Sequence, residues 1–370
     1  MKVLYVTRKF PPSVGGMEKA SFELQLALKN ITRVKLIAYG GKNKYLPVVY
    51  PWLFLRALVA IIWWRPTVVY LQDGVMAPMG YLLRLLTRKP MVISVHGLEV
   101  SYKNQAYQAI MKRILPRVGH IVVGSEQTKK EVLSRFPNMP ISKVVYGCRD
   151  SFYLPGTMSE LRAELAAELE LKPAAFRKTK LLVTTGRLVE RKGVAWFVGN
   201  VMPRLVEGRS DVLYLVGGKG PDEEKIRQLI DTHHLGDSVK LLGYISDHVR
   251  DLLYNTADYF VMPNIPVPGD MEGFGLVAVE AASCGTPVIA SGIEGITDAV
   301  VEGETGHLLP AKDAEAYVTA LSAGSKRKAS FDRKQVREYA LARYSWRQAA
   351  EDYMRIFEMV AKKKKPKKSA

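Results

Sequence analysis

Cysteine is nearly absent from this chain. Cys148 and Cys284 are the two in 370 residues and stand far apart, which excludes a disulfide framework and suits a reducing cytosol. Long apolar runs are also missing. The longest, Trp52 to Trp64, is broken by Arg56 and falls short of the about 20 residues a bilayer crossing needs. It reads as a buried or amphipathic helix before the next strand, with a helix dipping one face into a membrane surface as the second reading. The apolar part of the first eight residues is too short for a signal peptide, so the expected location is the cytoplasm. No repeat of about 20 to 50 residues is present, which excludes solenoids and propellers. There is no nicotinamide Gly-x-Gly-x-x-Gly, no Walker loop and no Asp-x-Asp metal motif.

Acidic residues are scarce in the first half. Residues 1–150 hold 23 Lys plus Arg against 7 Asp plus Glu, a net of +16 out of +18 for the whole chain. Residues 151–370 hold 31 against 29, and six of those cations lie in the tail Lys362-Lys363-Lys364-Lys365-Pro366-Lys367-Lys368. One half is built to meet something anionic and the other is not. With 48% hydrophobic and 24% charged residues the chain is an ordinary globular one, long enough for about two domains.

Short β-rich runs alternate with helical stretches. They are Lys2–Thr7, 33–39, 67–72, 91–96, 120–124 and 143–146, and later 181–185, 212–216, 239–242, Tyr259–Met262, 287–290 and 307–309. Val3-Leu4-Tyr5-Val6 is continuously apolar, as a strand covered on both faces is. Such alternation predicts two doubly wound parallel sheets. The punctuated stretch 155–179 places a boundary there, giving domains 1–165 and 175–345, a final helix over 346–361 expected to pack back on the first domain, and a basic tail, 362–370.

Three loops carry chemistry. Pro11-Pro12-Ser13-Val14-Gly15-Gly16 joins the first strand to a helix, where backbone N–H groups can approach an anion. Gly186-Arg187-Leu188-Val189-Glu190-Arg191-Lys192-Gly193 sets cations at a strand end, which suits a diphosphate. Glu272-Gly273-Phe274-Gly275-Leu276-Val277-Ala278-Val279-Glu280 puts one carboxylate in a loop and another inside a helix over Leu276–Ser283. That helix start can hold a phosphate while the carboxylates accept from hydroxyls.

Together with Val95-His96-Gly97, Val216-Gly217-Gly218 with Gly220, Ala281-Ala282-Ser283-Cys284-Gly285-Thr286-Pro287 and Gly303-Glu304-Thr305-Gly306, these loops resemble the retaining glycosyltransferases of family 4, near the branch of mannosyltransferases acting on phosphatidylinositol mannosides. The resemblance implies the α/β GT-B fold, two Rossmann-like domains facing across a cleft, the first taking the acceptor and the second the nucleotide-sugar. It implies catalytic roles for His96, Glu272, Arg187 and Lys192. It implies donor binding by Gly15, Gly16, Arg187, Lys192, Glu272, Phe274, Gly275, Leu276 and Glu280, with Glu280 on the ribose. No cofactor or metal is expected, since Arg187, Lys192 and the helix start can replace a divalent cation. The expected reaction moves mannose or another hexose from GDP-mannose or a UDP-sugar, with retention, to a lipid-linked or cell-envelope glycan acceptor. The basic first domain would meet an anionic membrane at its cytoplasmic face.

Two departures bear on the sugar pocket. Gly97-Leu98-Glu99 stands where many relatives carry an aspartate, and Ser291-Gly292-Ile293-Glu294-Gly295 replaces the usual glycine, proline and glutamate run. The competing readings are a nucleic-acid-binding protein on the same fold, motivated by the pI near 9.7, and a sugar-nucleotide epimerase.

Overall fold

The computed structural model describes residues 1–102, 104–172, 176, 179–207, 211–322 and 331–362. The chain separates into two units, one made of residues 1–147 with 344–362 and the other of 148–343. The first runs β1 (Lys2–Thr7), α1 (Gly16–Ile31), β2 (Arg33–Ala38), α2 (Leu46–Trp64), β3 (Val68–Leu71), α3 (Ala77–Thr87), β4 (Met91–Val95), α4 (Leu98–Ser101), α5 (Gln105–Val118), β5 (His120–Val123), α6 (Glu126–Arg135) and β6 (Ile141–Lys143). Its strands form one sheet in the order β2-β1-β3-β4-β5-β6, with every pairing parallel.

Residue alternation on β1 shows how the sheet is covered. Leu4 and Val6 face a core with Leu53 and Ala57 of α2, Leu83 of α3 and Leu115 of α5. Val3 and Tyr5 face the opposite core, with Leu24 and Leu28 of α1. Both faces are dry, which is why the strands read as unbroken apolar runs.

The second unit runs α7 (Met158–Glu168), β7 (Lys180–Thr185), α8 (Val194–Asn200), α9 (Met202–Val206), β8 (Val212–Gly217), α10 (Glu223–Thr232), β9 (Val239–Gly243), α11 (Asp247–Thr256), β10 (Tyr259–Met262), α12 (Leu276–Ser283), β11 (Val288–Ser291), α13 (Ile296–Ala299), β12 (Gly306–Leu309), α14 (Ala314–Leu321) and α15 (Arg333–Arg343). Its parallel sheet has the order β12-β11-β10-β7-β8-β9.

The chain then returns to the first unit as α16 (Trp346–Lys362). Ala349, Ala350, Tyr353, Ile356 and Phe357 lie at helical spacing and are buried against Tyr5 and Tyr70. Tyr353 Oη lies 3.0 Å from Ser94 Oγ and 3.2 Å from Tyr70 Oη.

Two expectations shift. The unit boundary falls at Gly147/Cys148, not within 155–179. The reason is local: Asn255 of α11 donates to Phe152 O at 2.7 Å and accepts from Leu154 N at 3.1 Å. Arg162 of α7 reaches Thr256 O and Asp258, so residues 148–168 belong to the second unit. The sixth strand is Ile141–Lys143, upstream of 143–146. The ladder continues one bond further, Val144 N donating to Val123 O at 2.9 Å. The basic tail beyond Lys362 lies outside the described residues.

Candidate active site

Ligands in open parallel sheets sit beyond the carboxyl ends of the strands where the order reverses. In the second unit that point lies between β7 and β10. Arg187 follows β7 and Asn264 follows β10. Two glycines around the loop after β7 are packed too closely for a side chain. Gly193 has φ +68°, and a Cβ there would lie 1.9 Å from Pro263 O. Gly218 has φ +138°, and a Cβ there would lie 1.8 Å from Gly186 O. Glycine alone tolerates both the conformation and the approach. Arg187 stands exposed on this loop, whereas Arg191 is buried.

Glu272 is the centre of the constellation. Its Oε2 takes Lys192 Nζ at 2.6 Å, Asn264 Nδ2 at 3.2 Å and a guanidinium N–H of Arg191. Burial alone would raise its pKa, but the Lys192 and Arg191 charges override it and bring the carboxyl down to about 2. Lys192 is pulled below the usual lysine value by burial and by the neighbouring arginines, with Glu272 acting against them.

Beyond Glu272, Phe274 is buried and Gly275 caps α12 with φ +97°. Leu276 opens the helix; the N–H groups of Leu276 and Val277 have no carbonyl four residues back within it, while Ala278 N donates to Gly275 O at 3.0 Å. Glu280 lies one turn further in, buried, and accepts from Tyr254 Oη at 3.0 Å. Tyr254 Oη also lies 2.9 Å from Thr185 Oγ1 at the end of β7. Glu280 is thereby tied to the strand that presents Arg187.

The other three candidates lie in the first unit. Gly15 is the N-cap of α1 and Gly16 its first residue. The neighbouring Glu18 carboxylate is paired with Lys9 at 3.0 Å, so this helix start already has a carboxylate beside it. His96 follows β4. Its Nε2 lies 2.7 Å from Gln72 O and its Nδ1 2.6 Å from Tyr146 Oη. A carbonyl only accepts, so Nε2 donates to Gln72 and Nδ1 accepts from Tyr146. Both ring nitrogens are occupied, as in a structurally satisfied histidine. Glu99, in the Gly97-Leu98-Glu99 run, accepts from His96 N at 3.0 Å and Gly74 N at 3.3 Å. Burial raises its pKa.

Several contributors escaped the sequence reading. Arg191 is an internal brace, also bonded through Nε to Asp270 at 3.0 Å. Asn264 orients Glu272, and its Oδ1 is buried without a partner among the described residues. Glu294, in the atypical 291–295 run, accepts from Glu272 N at 2.5 Å. Arg8 pairs with buried Asp73 at 2.6 Å where the first sheet reverses, between β1 and β3. Arg191 lies in the cationic 186–193 run and Glu294 in the atypical 291–295 run, and those two runs are their signal in the sequence. Arg8, Asp73, Asn264 and Asp270 fall in no motif.

Comparison with known proteins settles the family. A model described as "Glycosyltransferase Family 4" matches residues 3–147, and one described as "Glycosyl transferases group 1" matches residues 179–324. The chain belongs to glycosyltransferase family 4. This family-4 chain is 34% identical over 187 residues to the phosphatidyl-myo-inositol mannosyltransferase of Mycobacterium leprae, across 50% of the chain and 48% of that relative. It thus spans about half the length of that relative. It is 25% identical to the alpha-maltose-1-phosphate synthase of Mycolicibacterium smegmatis, across 98% of the chain and 100% of that protein. Among solved structures, sucrose-phosphate synthase from Thermosynechococcus elongatus matches with a TM-score of 0.78 at 21% identity, over 97% of this chain and 99% of that one. Anabaena HepE in complex with UDP and glucose matches with 0.75 at 16% identity, over the same shares. These likenesses show the fold, two parallel six-stranded α/β units of the GT-B class.

Proposed function

We propose that the chain is a retaining, metal-independent hexosyltransferase that moves mannose or another hexose from a nucleotide-sugar to a lipid-linked or cell-envelope glycan acceptor. The observation that carries this reading is the grouping, within one unit, of exposed Arg187, the Lys192–Glu272 pair, the start of α12 and buried Glu280. Breaking the glycosyl–phosphate bond loads charge onto a nucleoside diphosphate. Arg187, Lys192 and the N–H groups beginning at Leu276 neutralise that charge. Glu280 takes the ribose hydroxyls.

The contacts of Glu272 with described residues fall on Oε2. Its Oε1, with Asn264 Oδ1, is left to accept from sugar hydroxyls. A carboxylate held ionised by two cations is a weak base and a weak nucleophile, so Glu272 is assigned to binding and orientation. His96, with both ring nitrogens bonded to Tyr146 and Gln72, is held as a fixed ring and is not assigned to relaying a proton. The relative named as a phosphatidyl-myo-inositol mannosyltransferase supports mannose as the sugar, and the structure holding UDP and glucose supports a nucleotide-linked donor. The basic first unit supports a place on the cytoplasmic face of a membrane, since each Lys or Arg near anionic lipid contributes about 1 kcal/mol.

A thermal-shift screen with GDP-mannose and UDP-sugars tests the donor site. Binding to the folded state alone stabilises by RT ln(1 + [L]/Kd). One nucleotide series is expected to raise Tm, and Arg187→Ala to abolish the rise. No shift with any nucleotide-sugar overturns the reading.

A further inference from the structure

We infer that the outward face of α2 and α3 is a membrane-docking ridge that lies in the interface of an anionic bilayer. This deepens the membrane-facing reading above and rests on it. The stripe Val48, Trp52, Leu55, Val59 and Ile62 recurs every three or four residues along α2, and all five are exposed, as is Trp63 at 82%. On α3, Leu82, Leu85 and Leu86 are exposed as well. The inner residues of both helices share one core beneath one face of the sheet, and the two helices pack side by side. Their outer faces therefore point the same way, and together they form a contiguous apolar surface of the kind that marks an interaction site.

Charge identifies the occupant. Between Glu23 and Glu126 the chain has fourteen lysines and arginines and two carboxylates, Asp73 and Glu99, both buried. A second copy of this chain would bring like charges face to face, whereas anionic lipid complements them. Arg65 and Arg88 close the C-terminal ends of α2 and α3, and Lys42 and Lys44 precede α2. Arg56, on α2 itself, lies 4.9 Å over the Trp52 ring. Its head stays at headgroup level while its stem lies on apolar surface. Between α3 and α5 a shallow groove of about 340 Å³ is lined by Tyr81, Ile114, Arg113 and Arg117. That lining suits a lipid phosphate with its acyl chains alongside.

The helical segment extends upstream of the 52–64 run read from the sequence, so that Asn43–Trp64, contrary to that reading, is long and apolar enough to cross a bilayer, but it is tethered at both ends to one sheet. β2 before it and β3 after it both pair with β1, and Leu53, Ala57, Ala60 and Ile61 are buried in the core. A helix so held lies on the membrane and does not span it.

Vesicle flotation tests the inference, using phosphatidylcholine vesicles with about 30% phosphatidylglycerol against phosphatidylcholine alone. The wild-type protein is expected to float with the anionic vesicles only, with tryptophan emission quenched by brominated acyl chains. The triple variant Leu55→Ser, Val59→Ser, Ile62→Ser, checked for an unchanged melt, is expected to bind at least about tenfold more weakly. Trp63→Phe, which keeps the surface apolar, is expected to float as the wild type does but with less quenching. If the wild type floats while the serine variant floats equally and Trp63→Phe leaves quenching unchanged, the ridge is overturned and membrane association stands. A wild type that ignores anionic vesicles overturns both. A solution dimer that the serine variant dissolves, with no flotation, assigns the face to self-association and overturns the inference.

Discussion

Glu272 shows how a single side chain can brace a site and serve it. Its folded pKa of about 2 lies below the ordinary value of 4.5. A depressed carboxylate stabilises the fold above its unfolded pKa and loses that contribution as pH falls through the folded one. Glu272→Gln, which leaves Lys192 and Arg191 without their partner, is therefore expected to be less stable than wild type near neutrality. The gap should close between about pH 4.5 and pH 2, as denaturant melts across that range would show. A gap that stays constant would mean that Glu272 is not the pinned carboxylate described above. Arg187 makes the opposite prediction. It is exposed, so Arg187→Ala should change stability by less than about 0.5 kcal/mol while nucleoside diphosphate affinity, by calorimetry, falls about tenfold or more. Burial pushes both cysteine thiols up to about 12, so neither should react with a thiol reagent at neutral pH until the protein unfolds.

At the scale of the element, α16 holds the first unit together from the far end of the chain. Phe357 is fully buried among Tyr70 and Tyr353. Phe357→Ala is expected to cost about 3–5 kcal/mol in chemical denaturation. A loss below about 1 kcal/mol would show that the helix is not part of the core. Elements with one environment were the easiest to read in advance. Val3–Val6 is buried on both faces and reads as a strand. Leu276–Ser283 is bounded by Gly275 and Gly285 and reads as a helix to the residue. β6 was misplaced because an edge strand of three residues ending in exposed Lys143 has little apolar pattern to follow. For the outer face of α2 the sequence ranks a membrane surface only second, for a different reason. A helix that is apolar all round reads as buried, and periodicity does not separate a face that meets a core from a face that meets solvent or lipid.

Across the whole molecule, the chemistry-bearing loops were legible because each follows a strand of a doubly wound sheet, where backbone geometry fixes what a ligand meets. The wiring between them was not. Arg191 and Glu294 come from loops far from Glu272 in sequence, and only folding brings them onto it, while Asn264 and Asp270 share its own loop, Asn264 bonding Glu272 and Asp270 bonding Arg191. The unit boundary was missed for a similar reason, since Asn255 captures residues 152–154 from about a hundred positions away. The charge, by contrast, was informative from the start. The excess lies almost entirely in residues 1–150, outside the second-unit loops that supply the proposed diphosphate contacts, and Lys42, Lys44, Arg56, Arg65 and Arg88 lie on or at the ends of α2 and α3.

The most direct test of the central claim is transfer itself, followed with radiolabelled GDP-mannose and UDP-sugars in the presence of a lipid extract. The account predicts labelled lipid or glycan from one nucleotide series with wild-type protein, and none with folded Arg187→Ala. Neither transfer nor slow donor hydrolysis with any nucleotide-sugar, or conversion of the donor without an acceptor, would contradict it.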